Sequence, residues 1–287
     1  MVVRHRTWNS VDLLVVPADA PAAFCADLSP EGLLAGYRAG AYPMPAEDEY
    51  ARYLSEARFE DLVATGDIPV VGPAGDDVPY EVAWWSPDPR PVIAPAAART
   101  GRRLSRALRN RLRWSTTVDT AFGRVVDECR AGRVPRWLTD PLKEGLCELH
   151  RAGRAHSVEV WEDGELIGGA FGVRVGPVIS LDSMFHRRPG AARVAIADLG
   201  ARFAEAGGEL LDAQWDSPAV RSLGGSPMPR AWYLELLRSG RGSPPLGGTR
   251  TAGESGQQGE PGPTGKPGES GKPGESGSTE EPGPMAG

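Results

Sequence analysis

From Gly253 to Gly277 a glycine stands at every third position, in "GESGQQGEPGPTGKPGESGKPGESG". This is a collagen-like G-X-Y register with proline often at Y. A triple helix takes three chains and usually more triplets than these. Nothing in the stretch can bury apolar surface to offset the entropy of ordering. Residues 241–287 are therefore expected to form a disordered tail. Whatever folds must do so in the residues before it. The chain has 287 residues, 40% hydrophobic and 24% charged, which leaves room for one or two globular domains.

Several classes are excluded at once. No stretch approaches the roughly 18–20 consecutive apolar residues that cross a bilayer. "DLLVV" at 12–16 is too short for the apolar region of a signal peptide, so a cytoplasmic location is expected. Cys25, Cys129 and Cys147 contain no CxxC, and His5, His150, His156 and His186 are scattered, so neither a disulfide framework nor a metal site is expected. The net charge of −6 conceals segregation. "RTGRRLSRALRNRLR" (99–113) holds seven arginines and no acid, while acids gather in "AEDEYARYLSEARFEDL" (46–62). Local charge steers a polyanion more than the sum does. On a helix, Arg102, Arg106, Arg109 and Arg113 form one stripe with no carboxylate nearby in sequence, a pattern suited to phosphates.

Residues 27–40 read as a helix with Ser29 as N-cap, Pro30 in its first turn and Gly40 past its end. Residues 46–79 read as an acidic, irregular insertion. "AWWSPDPRPVIAP" (83–95) reads as an aromatic strand running into a proline-rich connector, and it sets the expected boundary between domains 1–90 and 91–240. Trp84 and Trp85 are expected to pack structurally. Helices follow at "DTAFGRVVDECRAG", with Asp119 as N-cap, and at "TDPLKEGLCELHRAG". Residues 155–185 form a predicted β-meander turning at "DG" and "GP". A last helix (191–208) leads to "ELLDAQ". The expected class is α+β.

Asp212 and Gln214 stand two residues apart at the end of that apolar strand, so both side chains point the same way. Taken alone, the pair reads first as a polar strand end where a turn begins at "DSP", and only second as chemistry.

In order, "DLSPEGLLAGYRAGAYP", "WWSPDPR", "RWL", "LHRAGRAHSVEVW", "LIGGAFGV", "DSMF", "LLDAQ", "SLGG" and "PRAWYLELL" cover most of residues 27–237. Together they resemble the bacterial leucyl/phenylalanyl-tRNA–protein transferases. The resemblance implies a small N-terminal domain followed by an acetyltransferase-like (GNAT) domain with a mixed, mainly antiparallel sheet. It implies transfer of Leu, Phe or Met from aminoacyl-tRNA to the N-terminal Arg or Lys of a protein, which marks that protein for degradation. Aminolysis of an ester already activated by tRNA calls for no metal, ATP or other cofactor, and a monomer is expected. The resemblance gives Asp212 and Gln214 the task of holding the attacking amine and relaying its proton.

The same resemblance places Met184, Leu199 and Phe203 around the transferred side chain, with Ser183 beside them, and Trp137 at the tRNA 3′ end. The default for Leu199 and Phe203, four apart on a helix, is core. This chain departs from the pattern where "GESMF" is "LDSMF". Leu181 replaces Gly, and Asp182 replaces Glu, a carboxylate shorter by one methylene. Met44 stands where the family has an aromatic that stacks the terminal adenosine. Such departures motivate two rival readings: a small-molecule or peptide acceptor in specialised biosynthesis, and a non-catalytic tRNA-binding relic. His156 and Ser157 are expected to be structural. Glu159 is expected to be salt-bridged or to face solvent.

Overall fold

The computed structural model describes residues 5–72, 79–98, 113–239 and 250–251. The Gly-X-Y register and Arg102, Arg106 and Arg109 lie outside these residues. Two sheets organise the chain. The first has five strands: β1 (His5–Arg6), β2 (Ala23–Phe24), β3 (Tyr42–Pro45), β4 (Val70–Val71) and β5 (Val82–Trp85), in the order β1-β4-β2-β5-β3. The second is built from β6 (Arg90–Ile93), β7 (Trp114–Val118), β8 (Ala155–Glu162), β9 (Glu165–Val175), β10 (Val178–His186), β11 (Leu210–Asp212), β12 (Ser226–Met228) and β13 (Arg250–Thr251). Its order is β12-β6-β11-β10-β9-β8-β7-β13. All its neighbours pair antiparallel except β10 and β11. The class is α+β with mixed sheets. Strand β6 takes up the stretch read as a proline-rich connector.

The meander forms as its turns dictate. Asp163 and Gly164 adopt φ of 49° and 85°, the positive values that a two-residue hairpin turn requires. Helices cover both faces of the large sheet. α3 (Phe122–Arg130) and α4 (Asp140–Arg151) pack Phe122, Val125, Leu142 and Leu146 against Phe171 and Val173. On the other face α5 (Ala191–Glu205) packs Ile196, Leu199 and Phe203 against Val158, Val160 and Ile179. β9 is buried on both sides, so it reads as a continuous apolar run. α5 is also the crossover that lets β10 and β11 run parallel.

α1 (Pro30–Ala39) is capped as expected: the Ser29 hydroxyl accepts from the Gly32 amide, and Gly40 closes it at φ 103°. Trp84 is sealed in the core, its indole N–H donating to the Cys25 carbonyl at 2.9 Å. Three expectations need correction. Residues 46–79 are not irregular, because α2 (Glu49–Thr65) spans most of the acidic segment. The Asp48 carboxylate caps its start, Gly66 ends it at φ 85°, and Phe59 and Val63, four apart, bury one narrow face. Asp119 is not the N-cap of α3; that position is Ala121. Asp119 sits at φ 57° and reaches across to β8 instead, accepting from the Ser157 amide at 2.9 Å and meeting His156 Nδ1 at 2.7 Å. Glu159 is fully buried and neither faces solvent nor pairs with a base among the described residues. Its carboxylate accepts from the hydroxyls of Thr117 and Ser157 and from the Ala121 amide.

The last two helices described, α6 (Pro218–Ser222) and α7 (Arg230–Arg238), bring Val220 into the core that holds Leu211, and Tyr233 to Asp212 at the end of β11.

Candidate active site

The parallel pairing of β10 with β11 sets Ser180 opposite Asp212. Two residues further along each chain come Asp182 and Gln214. The two side chains meet just past the last paired residues: Gln214 Nε2 donates to Asp182 Oδ1 at 2.8 Å and to Ser180 Oγ at 3.1 Å. Two local irregularities aim the pair. Between Leu181 and Ser183 the register of β10 shifts against β9, leaving Asp182 as the extra residue of a bulge. Gln214 adopts φ 63° just beyond the end of β11.

Gly172 makes room for the bulge. A Cβ there would lie 2.1 Å from the Ser180 carbonyl oxygen, a backbone atom that cannot swing aside. Gly172→Ala should therefore lower stability by about 1–3 kcal/mol. Because it displaces the strand that carries Asp182, transferase activity per folded molecule should fall with it. Thermal melting and an activity assay on the soluble fraction check both.

Asp212 is fully buried and heavily bonded. Arg90, from β6, grips it with both prongs of its guanidinium, Nε to Oδ1 at 2.9 Å and Nη2 to Oδ2 at 2.7 Å. Oδ1 also accepts the Gln214 amide at 2.9 Å, and Oδ2 accepts the hydroxyls of Tyr233 at 3.0 Å and Ser180 at 3.2 Å. Arg90 lies between the rings of Tyr42 and Tyr233, 5.0 and 4.5 Å from their centroids, and donates to the Gly40 carbonyl. Burial opposes the guanidinium charge, but Asp212 more than restores it, so the Arg90 pKa is raised. Burial, reinforced by Asp212, holds Tyr233 well above the ordinary phenol range.

Asp182 is placed differently. Oδ1 accepts from Gln214 and, at 2.8 Å, from the hydroxyl of Tyr37 on α1. Oδ2 is sealed from solvent and has no hydrogen-bond partner. Burial pushes the Asp182 carboxyl up to about 7, against the two hydrogen bonds and with help from the Asp212 charge. Tyr37 is raised well above its usual value by burial and then by Asp182, so it remains a neutral donor. The site thus holds one carboxylate locked to an arginine and a second that titrates near neutrality, with Gln214 bonded to the first through its backbone amide and to the second through its carboxamide.

The other sequence-predicted residues are distributed around this network. Met184 is half-buried against the core beneath α5, and its carbonyl accepts from Arg133 at 2.8 Å. Leu199 and Phe203 are completely buried in that same core. Ser183 hydrogen-bonds the buried thiol of Cys129, whose pKa burial pushes up to about 12. Trp137 and Met44 are half-buried against the other core. Arg113 is exposed and not without an acid: Asp163, at the hairpin turn, comes within 3.8 Å. The acid is distant in sequence but adjacent across the β7–β8 pair. Among the described residues no cluster of His, Cys, Asp or Glu could hold a metal ion.

Sequence reasoning did not single out Arg90, Tyr37, Tyr233 or Ser180. Each lies inside or beside a stretch that matches the family pattern. Their partners are 21 to 145 positions away, however, so only the fold brings them together.

A family model described as leucyl/phenylalanyl-tRNA protein transferase matches residues 92–238. Three relatives named leucyl/phenylalanyl-tRNA–protein transferase are similar over most of their length. The protein of Xanthomonas axonopodis pv. citri is 33% identical over 244 residues, 84% of this chain and 85% of its own. That of Aromatoleum aromaticum is 35% identical over 214 residues, covering 74% and 77%. That of Pseudomonas putida is 33% identical over 242 residues, covering 80% and 93%.

Proposed function

Because this chain belongs to the leucyl/phenylalanyl-tRNA–protein transferase family, we propose that the Asp182–Gln214 pair carries out the aminolysis of an aminoacyl-tRNA ester. The enzyme moves Leu, Phe or Met to the N-terminal Arg or Lys of an acceptor protein, an N-end rule modification. The amine nitrogen attacks the ester carbonyl carbon. The bond to the 3′-terminal ribose oxygen then breaks, and an amide replaces it.

An α-ammonium has a pKa of about 7.7–8.0, so near neutrality it must shed a proton before its lone pair can attack. The observation that carries the assignment is the unpartnered Oδ2 of Asp182 on a carboxyl that titrates at about 7. A base so matched to ambient pH takes up the proton and releases it again. Both amide hydrogens of Gln214 are committed to Ser180 and Asp182, so its carbonyl oxygen is the atom that receives an ammonium N–H. Asp212, saturated by Arg90, Tyr233, Ser180 and the Gln214 amide, serves as the anchor of Gln214. That differs from the relay role which the family pattern gives it. Tyr37 orients Asp182 and ties α1 to the site.

The acetyltransferase-like description of the second part of the chain fits a mixed sheet with helices on both faces. Met184 and Ser183 are assigned to the transferred side chain, with Leu199 and Phe203 behind Met184 in the core, and Trp137 and Met44 to the terminal adenosine. The arginines of 99–113 are assigned to tRNA phosphates. We take the enzyme to act as a cytosolic monomer; no helix among the described residues is long and apolar enough to cross a membrane. No feature of the site favours a biosynthetic acceptor or a non-catalytic relic.

The direct test is incubation of the protein with Leu-tRNA, Phe-tRNA or Met-tRNA and a fluorescent Arg-initiated peptide. Transfer that depends on both substrates is expected. No transfer from any of the three donors would refute the assignment.

A further inference from the structure

Resting on the reading above, the geometry points to a subsite for the acceptor's N-terminal basic side chain on the aromatic face formed by Trp215 and Trp85. Trp215 directly follows Gln214 in the chain. Its amide donates to the Ala213 carbonyl at 2.6 Å, closing the tight turn that also sets Gln214. The indole is 47% exposed, although its rim is packed. It lies 5.5 Å from the ring of Trp85 at a tilt of 58°, and 6.2 Å, edge-on, from Tyr42. Tyr42 in turn lies against Arg90, the partner of Asp212. A half-exposed indole is thus fixed one residue from the carboxamide that receives the amine.

The reaction needs a group there that prefers a cation. Choosing Arg or Lys over a neutral N-terminal residue requires either a carboxylate free to pair or a π-face. The neighbouring acids are committed. Asp212 is neutralised by Arg90, Asp182 is held by Tyr37 and Gln214 with Oδ2 left for the amine, and Asp216 is chelated by Arg221. The indole is the best of the aromatic faces for a guanidinium or ammonium within about 6 Å of its centroid. Trp85 supports it from the side and holds it flat to the incoming side chain.

The test compares peptides beginning with Arg, Lys, citrulline or norleucine at saturating Leu-tRNA. Wild-type transfer to the Arg peptide must be seen first; its absence would overturn the functional reading and this inference with it. Trp215→Leu should raise KM for the Arg and Lys peptides about 5–20-fold, with kcat falling less than twofold. The preference for Arg over citrulline should shrink by the same factor. Trp215→Phe, which keeps an aromatic ring and the packing, should give an intermediate preference, and it carries the test should the Leu variant fold poorly. An unchanged Arg-to-citrulline ratio in both variants would overturn the inference alone. So would a raised KM for Leu-tRNA, measured at saturating Arg peptide, in place of a raised KM for the peptide, which would assign the indole to a base at the donor's 3′ end.

Discussion

Asp212→Asn is expected to lose about 3–5 kcal/mol of stability, because it strips the buried Arg90 of its counter-charge. The two side chains are 1% and 0% exposed, so no solvent can replace the lost oxygen. At a few degrees per kcal/mol for a protein of this size, the melting temperature should fall by about 10 °C or more. The amide group also presents a donor where the Tyr233 and Ser180 hydroxyls, or the Arg90 N–H groups, need an acceptor. Arg90→Lys should not be tolerated either, since an ammonium cannot make the two parallel bonds or span the two tyrosine rings. Pairing Asp212→Asn with Arg90→Met should recover part of the loss, because a buried pair is worse half-removed than wholly removed. Thermal melts of the three variants, with activity scaled to folded protein, decide the matter. A fully stable Asp212→Asn enzyme that is slowed 10²–10⁴-fold, the usual worth of a general base, would return the proton relay to Asp212.

What the sequence made legible follows from the range over which each signal acts. The cap of α1 and the turns of the meander were readable because Ser29, Gly40, Asp163 and Gly164 act within four residues of themselves. Strand periodicity puts Asp212 and Gln214 on one face, but β11 ends at Asp212 and a turn with Gln214 at φ 63° is what places the carboxamide. α2 was missed because its buried stripe is only Phe59 and Val63 in an otherwise charged helix, so composition outweighed periodicity. Asp119 was misread for a related reason: a residue good at capping helices is equally good at φ 57°, and the β8 edge claimed its carboxylate. The division of labour between the two acids was invisible. It depends on Arg90, 122 positions from Asp212, and on Tyr37, 145 positions from Asp182. An acid shorter by one methylene reads as withdrawal from the sequence, yet Asp182 reaches Gln214 at 2.8 Å.

Asp182→Asn should separate activity from stability in opposite directions. The wild-type carboxyl moves from 3.8 to about 7 on folding, so the folded state favours its acid form. That preference stabilises the fold fully below pH 3.8. It is lost progressively as pH rises and is gone above about 7, where the enzyme must carry a buried carboxylate. Asparagine keeps the oxygen that accepts from Tyr37 and Gln214 and never ionises. Above pH 8 the variant should therefore be the more stable, by roughly 1–3 kcal/mol once the unpaired amide hydrogens are counted against it. Near pH 4 this advantage should vanish. Catalysis should move the other way. Wild-type kcat should climb through pH 7 as Oδ2 loses its proton, whereas Asp182→Asn should be about 10²–10⁴-fold slower and lack that limb of the profile. Melts at pH 4 and pH 8, together with a pH–rate profile at saturating Leu-tRNA, read all three quantities on one pair of proteins. A variant that keeps the wild-type profile would show that Asp182 does not accept the amine's proton. A variant that is inactive and also less stable at pH 8 would show that Asp182 is ionised in the fold and serves as a structural anion. The distinction matters because the two acids of this site are 30 residues apart in the chain and share one residue, Gln214, whose backbone amide bonds Asp212 and whose carboxamide bonds Asp182. Arg90 locks one of them, whereas the other has only the neutral donors Tyr37 and Gln214 and is the one that burial moves to about 7.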